Sequence, residues 1–148
     1  MSDEYYSTPE QVISYTGVKP KDLGFDTEDE EADEASLITL LETWLIQIKS
    51  LIDKDRNRDY TAEGVVPAGI DNIALRMAAN QVANAMVMRD SPIIRVDEFT
   101  LRQVDKDKVL TEAIEKDLLR FPAKPNFRFM RVRTEEEIEE DEEDEEGS

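Results

Sequence analysis

Neither cysteine nor histidine occurs among the 148 residues. The first absence excludes disulfides and thiolate metal sites; the second removes the usual metal ligand and the usual general base. Five glycines, scattered singly, cannot build a phosphate-cradling loop of either common type. A paired-carboxylate metal site would need acids at i and i+3 or i+4 on two facing helices. Glu112 with Glu115 has that spacing but finds no second half-site, and Glu63 has no match. The acidic stretch "DTEDEEADE" lacks the central glycine of a calcium loop. The residues therefore point to no catalytic, cofactor-binding or metal-ligating site, and the expectation is a protein that is not an enzyme and carries no cofactor. No apolar run approaches the ~20 residues of a bilayer span, and "MSDEYYSTPE" has neither the basic start nor the apolar stretch of a signal peptide. Cytosolic synthesis without membrane association is the expectation.

Charge, by contrast, is abundant and unevenly placed. The chain holds 36 acids against 18 bases, a net charge of −18. Residues 135–148 supply eleven acids and no base, and Asp26 to Glu34 supply seven acids and no base. The remainder is neutral, so acidity belongs to two local blocks and leaves the body able to present basic patches.

Hydrophobic periodicity predicts an all-α fold, a small bundle of about four helices with one extended loop or small hairpin and an extended C-terminal arm. "STPEQVISYTG" reads as a first helix, with Thr8 as cap, Pro9 in the first helical position, Gln11 three residues after the cap and Gly17 at the end. "VKPKDLGFD" reads as loop, and "TEDEEADEA" as a solvated helix start or loop whose acids suit the N-terminal dipole of the helix after it. In "ASLITLLETWLIQIKSLIDKDRNRDY", Ile38, Leu41, Leu45, Ile48 and Ile52 step by three or four, flanked by Leu37, Leu40, Trp44 and Leu51. A long amphipathic helix running to about Arg58 is expected. After a turn at "AEGVVP", Pro67 opens the next helix, where Ile70, Ile73, Met77, Val82 and Met88 are core candidates and Ala74, Ala78, Ala79, Ala83 and Ala85 form a smooth face for a close neighbour. A last helix spans "KDKVLTEAIEKDLLRFP", with Leu110, Ile114, Leu118 and Phe121 on one face and Pro122 as its stop.

Two segments break the helical pattern. In "SPIIRVDEFTLRQVD", Ile94 and Val96 alternate with Arg95 and Asp97, and Phe99 and Leu101 with Thr100 and Arg102. Beyond Pro122, "NFRFMRVR" alternates aromatic and basic side chains, and from Arg120 to Thr134 there are five bases and no acid. Such a strand cannot stand alone and suits addition to a partner's sheet, burying Phe127 and Phe129. The run from Glu135 onward repels itself and has Ile138 as its single large apolar side chain. These shifts divide the chain into a helical domain at 1–122, a docking arm at 123–134 and an acidic tail at 135–148.

The order of elements, together with "YYSTPEQVISYTG", "IKSLIDKDRNRDY" and "VVPAGIDNIALRMAANQVANAM", resembles the head-to-tail connector proteins of long-tailed bacteriophages, also called adaptor or head-completion proteins. The resemblance covers Tyr5 to Phe121. It implies a structural virion protein that forms a ring, commonly a dodecamer, between the portal protein and a stopper or tail-completion protein, with genomic DNA passing through the channel without sequence-specific binding. It places the chain at the head-tail interface of the virion, and in the host cytoplasm during assembly. By the same resemblance, Phe127, Arg128, Phe129, Met130, Arg131, Val132 and Arg133 form the portal-docking arm, while Ile94, Val96, Phe99 and Leu101 are contacts for the ring or the stopper. The reading from another class is an acidic interaction protein that mimics nucleic acid or shields a basic partner, with residues 135–148 as the working part.

Overall fold

In a computed structural model, residues 4–90 and 103–123 are described, and among them the protein is all-α, with no strand. The elements are α1 (Pro9–Thr16), a 3-10 turn (Pro20–Leu23), α2 (Glu30–Arg56), α3 (Tyr60–Glu63), α4 (Ile70–Asp90), α5 (Lys106–Val109) and α6 (Glu112–Leu118). Four of these reach seven residues or more, which makes the small bundle expected from periodicity. Residues 91–102, which hold most of the expected loop or hairpin, and the arm and acidic tail beyond Ala123 lie outside the described residues.

Helix ends obey local chemistry. The Thr8 hydroxyl accepts the Gln11 amide while the Gln11 side chain accepts the Thr8 amide, so each residue satisfies a donor the helix leaves unpaired. Gly17 closes α1 at φ 71°, a left-handed conformation that a Cβ would disfavour. The "VKPKDLGFD" stretch is more ordered than a loop, because Pro20 opens a 3-10 turn whose Asp22 side chain accepts the Lys19 amide. α2 begins earlier than its apolar stripe, at Glu30, after the cap Asp29, whose side chain accepts the Ala32 amide; Glu30, Glu31 and Asp33 of the acidic block thus lie in its first turn. One acid of that block packs: Asp33 is buried and accepts both the amide and the hydroxyl of Thr27.

α2 and α4 pair along the middle of the bundle; α1 and the 3-10 turn lie against both, and α5 and α6 lie against α4. Leu37, Leu40, Leu41, Trp44, Leu45, Ile48 and Ile52 of α2 are buried against Ile70, Ile73, Ala74, Met77, Ala78, Val82 and Ala85 of α4 and the neighbouring elements. Leu37, Leu40 and Trp44 of the flank are therefore as deeply buried as the seam, whereas Leu51 and, in the seam, Ile38 are half-buried. On α4 the small residues Ala74 and Ala78 lie in the core as expected, but Ala83 is exposed and Met88 half-buried.

Two boundaries differ from the sequence reading. α4 starts at Ile70, three residues after Pro67, with Gly69 at φ 97° in the turn. The last helix is two: α5 ends at Val109, and Thr111 caps α6 by accepting the Ile114 amide, so the chain bends at Leu110. The bend lets the Val109 carbonyl accept the Asn80 side chain at 3.2 Å, and Arg76 pairs with Asp117 at 2.7 Å to hold α6 on α4. α2 is also long and apolar enough, by length and a mean hydropathy of 1.3 over its best window, to meet the criterion for a bilayer span, which the sequence reading had not expected of any segment; 44% of that window is buried inside the bundle.

Substituting Leu41, fully buried, by alanine is expected to cost about 2–5 kcal/mol, while Ile46→Ala on the outer face of α2 stays within about 0.5 kcal/mol. Urea denaturation midpoints of the two variants check the contrast.

Candidate functional site

The residues expected to dock, Phe127, Arg128, Phe129, Met130, Arg131, Val132 and Arg133, lie outside the described residues, as do Ile94, Val96, Phe99 and Leu101. The structure does describe the points from which both segments depart or return.

At the C-terminal exit, polar groups of α2 and α3 converge. Lys49 sits on the buried side of α2 and donates to Asp53, one turn on, at 2.7 Å and to Asp59, the cap of α3, at 2.9 Å. Its ammonium also lies 5.0 Å from the centre of the Tyr6 ring. The buried Tyr6 hydroxyl donates to the other Asp53 oxygen and accepts the Tyr60 amide at 3.3 Å, and the two tyrosine rings tilt together at 6.2 Å. The Tyr60 hydroxyl in turn donates to the Pro122 carbonyl, and the Arg56 guanidinium donates to the Phe121 carbonyl at 3.1 Å. Phe121 lies over Gly69, where a Cβ would approach its ring to 3.4 Å. Four stretches remote in sequence thus meet here, and they hold the chain in place at Phe121 and Pro122.

Electrostatics reflect the geometry. Burial alone would lower the Lys49 pKa, but the hydrogen bonds to Asp53 and Asp59 prevail and hold it above its ordinary value. The Lys49 hydrogen bond, helped by the Ala62 amide, holds the Asp59 carboxyl below its ordinary value. Burial, reinforced by the bond to Asp53, raises Tyr6, and burial raises Tyr60. These shifts keep Lys49 and Asp59 charged and Tyr6 and Tyr60 neutral at neutral pH, which suits the cluster to holding chain segments together.

The cluster adjoins a shallow depression of about 350 Å³ lined by Glu4, Ile46, Lys49, Ser50 and Asp53. A smaller cavity of about 150 Å³ marks the return of the chain after residue 102, lined by Gln81, Asn84, Ala85, Met88, Gln103, Val104 and Asp105. There the Gln47 side chain accepts the Val104 amide at 2.9 Å and the Gln81 side chain reaches the Gln103 carbonyl at 3.5 Å. The Gln81 side-chain oxygen, buried, has no hydrogen-bond partner among the described residues. No group of three or more acids is placed to hold a metal ion among the described residues.

Sequence reading missed Tyr6, Lys49, Arg56, Asp59 and Tyr60. A signal existed: Leu41, Leu45, Lys49, Ile52 and Arg56 step by four, four, three and four, which sets two cations within a buried stripe. Comparisons with protein-family models, with curated proteins and with solved structures found no match to the chain.

The signs of these shifts fix a pH window. Asp59 is depressed, so its contribution is complete above the ordinary aspartate value of ~3.9 and is lost as pH falls through its lower folded value; Lys49 is raised, so its contribution is complete below ~10.4 and is lost as pH rises through its higher folded value. Lys49→Met is expected to cost about 1–3 kcal/mol at pH 7, toward the low end because Asp59 is partly exposed, with the gap from wild type narrowing below about pH 4. Denaturation midpoints across pH 3–9 measure it. Tyr60→Phe is expected to speed amide exchange at residues 119–123 while leaving the middle of α2 unchanged, as read by hydrogen-deuterium exchange.

Proposed function

We propose that the chain is a connector subunit of a tailed bacteriophage, which assembles as a ring between portal and stopper and extends the DNA channel. The observation that carries this reading is the clamp on the C-terminal exit. Arg56 and Tyr60 hold the carbonyls of Phe121 and Pro122, so the basic, aromatic stretch that starts at Asn126 leaves a rigid body at a fixed point. A latch of this kind gains affinity when its root is preorganised, since less freedom is lost on binding. Residues 126–133 would add a strand to the portal, with Phe127 and Phe129 as anchors and Arg128, Arg131 and Arg133 as charge partners.

A ring subunit also needs two unlike faces for head-to-tail contact. Large apolar side chains are exposed on separate elements, Tyr15 on α1, Val65 after α3, Val87 on α4 and Leu119 after α6. These offer adhesive positions outside the core. The exposed acids of the α2 start, Glu28, Asp29, Glu30, Glu31 and Glu34, would repel a phosphate backbone if they face the conduit.

The same exposed acids favour a second reading, an acidic interaction protein that shields a basic partner. The two readings separate by deletion. On the connector reading, removing residues 126–133 lowers affinity for a purified portal ring by more than about 100-fold, the cost of two aromatic anchors, while removing 135–148 changes it by less than about tenfold at physiological salt. Stoichiometric complexes seen by electron microscopy, with affinities from sedimentation, provide the measurement. The opposite ranking, with salt-sensitive binding lost on removal of 135–148, sinks the connector.

A further inference from the structure

Gln81, Asn84, Ala85 and Met88 follow one another by three, one and three residues along α4 and so share one face. The chain that returns through Gln103, Val104 and Asp105 lines the other side of the cavity of about 150 Å³. The hydrogen bonds of this lining do not balance. The Gln81 side-chain nitrogen donates to the Gln103 carbonyl at 3.5 Å, that of Asn84 to the Met88 sulfur at 3.5 Å, and the Val104 amide to the Gln47 side chain at 2.9 Å. These donors are engaged, while the Gln81 oxygen, on a side chain only 2% exposed, has no partner among the described residues. Turning the carboxamide over is no remedy, because its oxygen would then face the Gln103 carbonyl. A buried acceptor without a donor is costly, so the place calls for one.

Charge narrows the class of donor. Asp105 is the one charged residue of the lining; it is exposed, its Oδ1 accepts the Asp107 amide, and it forms no ion pair among the described residues. A guest that carries N–H groups and a positive charge meets both needs. Size narrows it further, since a cavity of about 150 Å³ holds a body the size of benzene. Ala85, Met88 and Val104 supply apolar wall. An ammonium ion is compact and holds its water tightly, whereas a guanidinium is flat, weakly hydrated and donates along several edges.

We propose that this cavity is a binding site for a guanidinium head group, with one N–H edge on the Gln81 oxygen, another toward Asp105 and the flat face against Met88. Free small guanidines and the end of an arginine side chain on another polypeptide share this chemistry. The site does not depend on the connector reading.

To test it, the isotope-labelled full chain is titrated with methylguanidinium while the side-chain amide resonances of Gln81 and Asn84 and the backbone amide of Val104 are followed. Saturable shifts confined to these groups are expected. Urea, a neutral body of similar shape, is expected to bind more weakly, as is methylammonium. Asp105→Asn keeps a good helix cap and is expected to weaken methylguanidinium about two- to fivefold, the worth of an exposed charge. Gln81→Met is expected to weaken it about tenfold or more, as loss of a hydrogen bond to a charged group requires. Shifts that rise without saturating, or that spread over the surface, overturn the proposal, and so does equal affinity for urea. Should Gln81→Met unfold the chain, Asp105→Asn still decides, because unchanged affinity there overturns the cationic class. N-acetylarginine amide then separates the sources: tighter binding than methylguanidinium assigns the site to a partner's arginine, weaker binding to a free small guanidine, and either upholds the site.

Discussion

A cation on the buried side of a helix has to be neutralised where it stands, because leaving it unpaired costs far more than the modest worth of a surface ion pair. Lys49 imposes that constraint on α2. Asp53 on the same helix supplies one partner, and Asp59 supplies the other only if the chain turns sharply after Arg56 and starts α3 at once. That turn carries Tyr60 inward, where its amide meets the Tyr6 hydroxyl and its own hydroxyl meets the Pro122 carbonyl. Satisfying one ammonium thus ties together the N-terminal segment at Tyr6, the start of α3 and the chain at Pro122.

The apolar core and this polar cluster divide the work. α4 touches every other helix of seven residues or more, so the α2 and α4 pair sets the body's rigidity, and its cost of disruption is spread over many side chains. The cluster acts at one end, on a few hydrogen bonds.

Helix caps and apolar stripes were legible from residues alone because they are local. Thr8, Pro9, Gln11 and Gly17 determine α1 within ten residues, and Leu41, Leu45, Ile48 and Ile52 mark the inner face of α2 without reference to any neighbour. What lay hidden was decided at a distance. Lys49 lies on the buried side of α2 with Asp59 as a partner that arrives from beyond the helix end, which no local pattern announces. Thr111 was an intermediate case: its capping chemistry could be read, but the apolar period running across it from Leu110 to Ile114 masked the break. The expected docking residues themselves, from Phe127 to Arg133 and from Ile94 to Leu101, fall outside the described residues.

α2 also gives the molecule an electrical axis. Its 27 residues extend about 40 Å, and seven acids without a base sit at its beginning, while Lys54, Arg56 and Arg58 temper the acids at its far end. Among the described residues that beginning is the negative end of α2, and a polyanion brought toward the helix would be repelled there first and would meet the tempered end at lower cost.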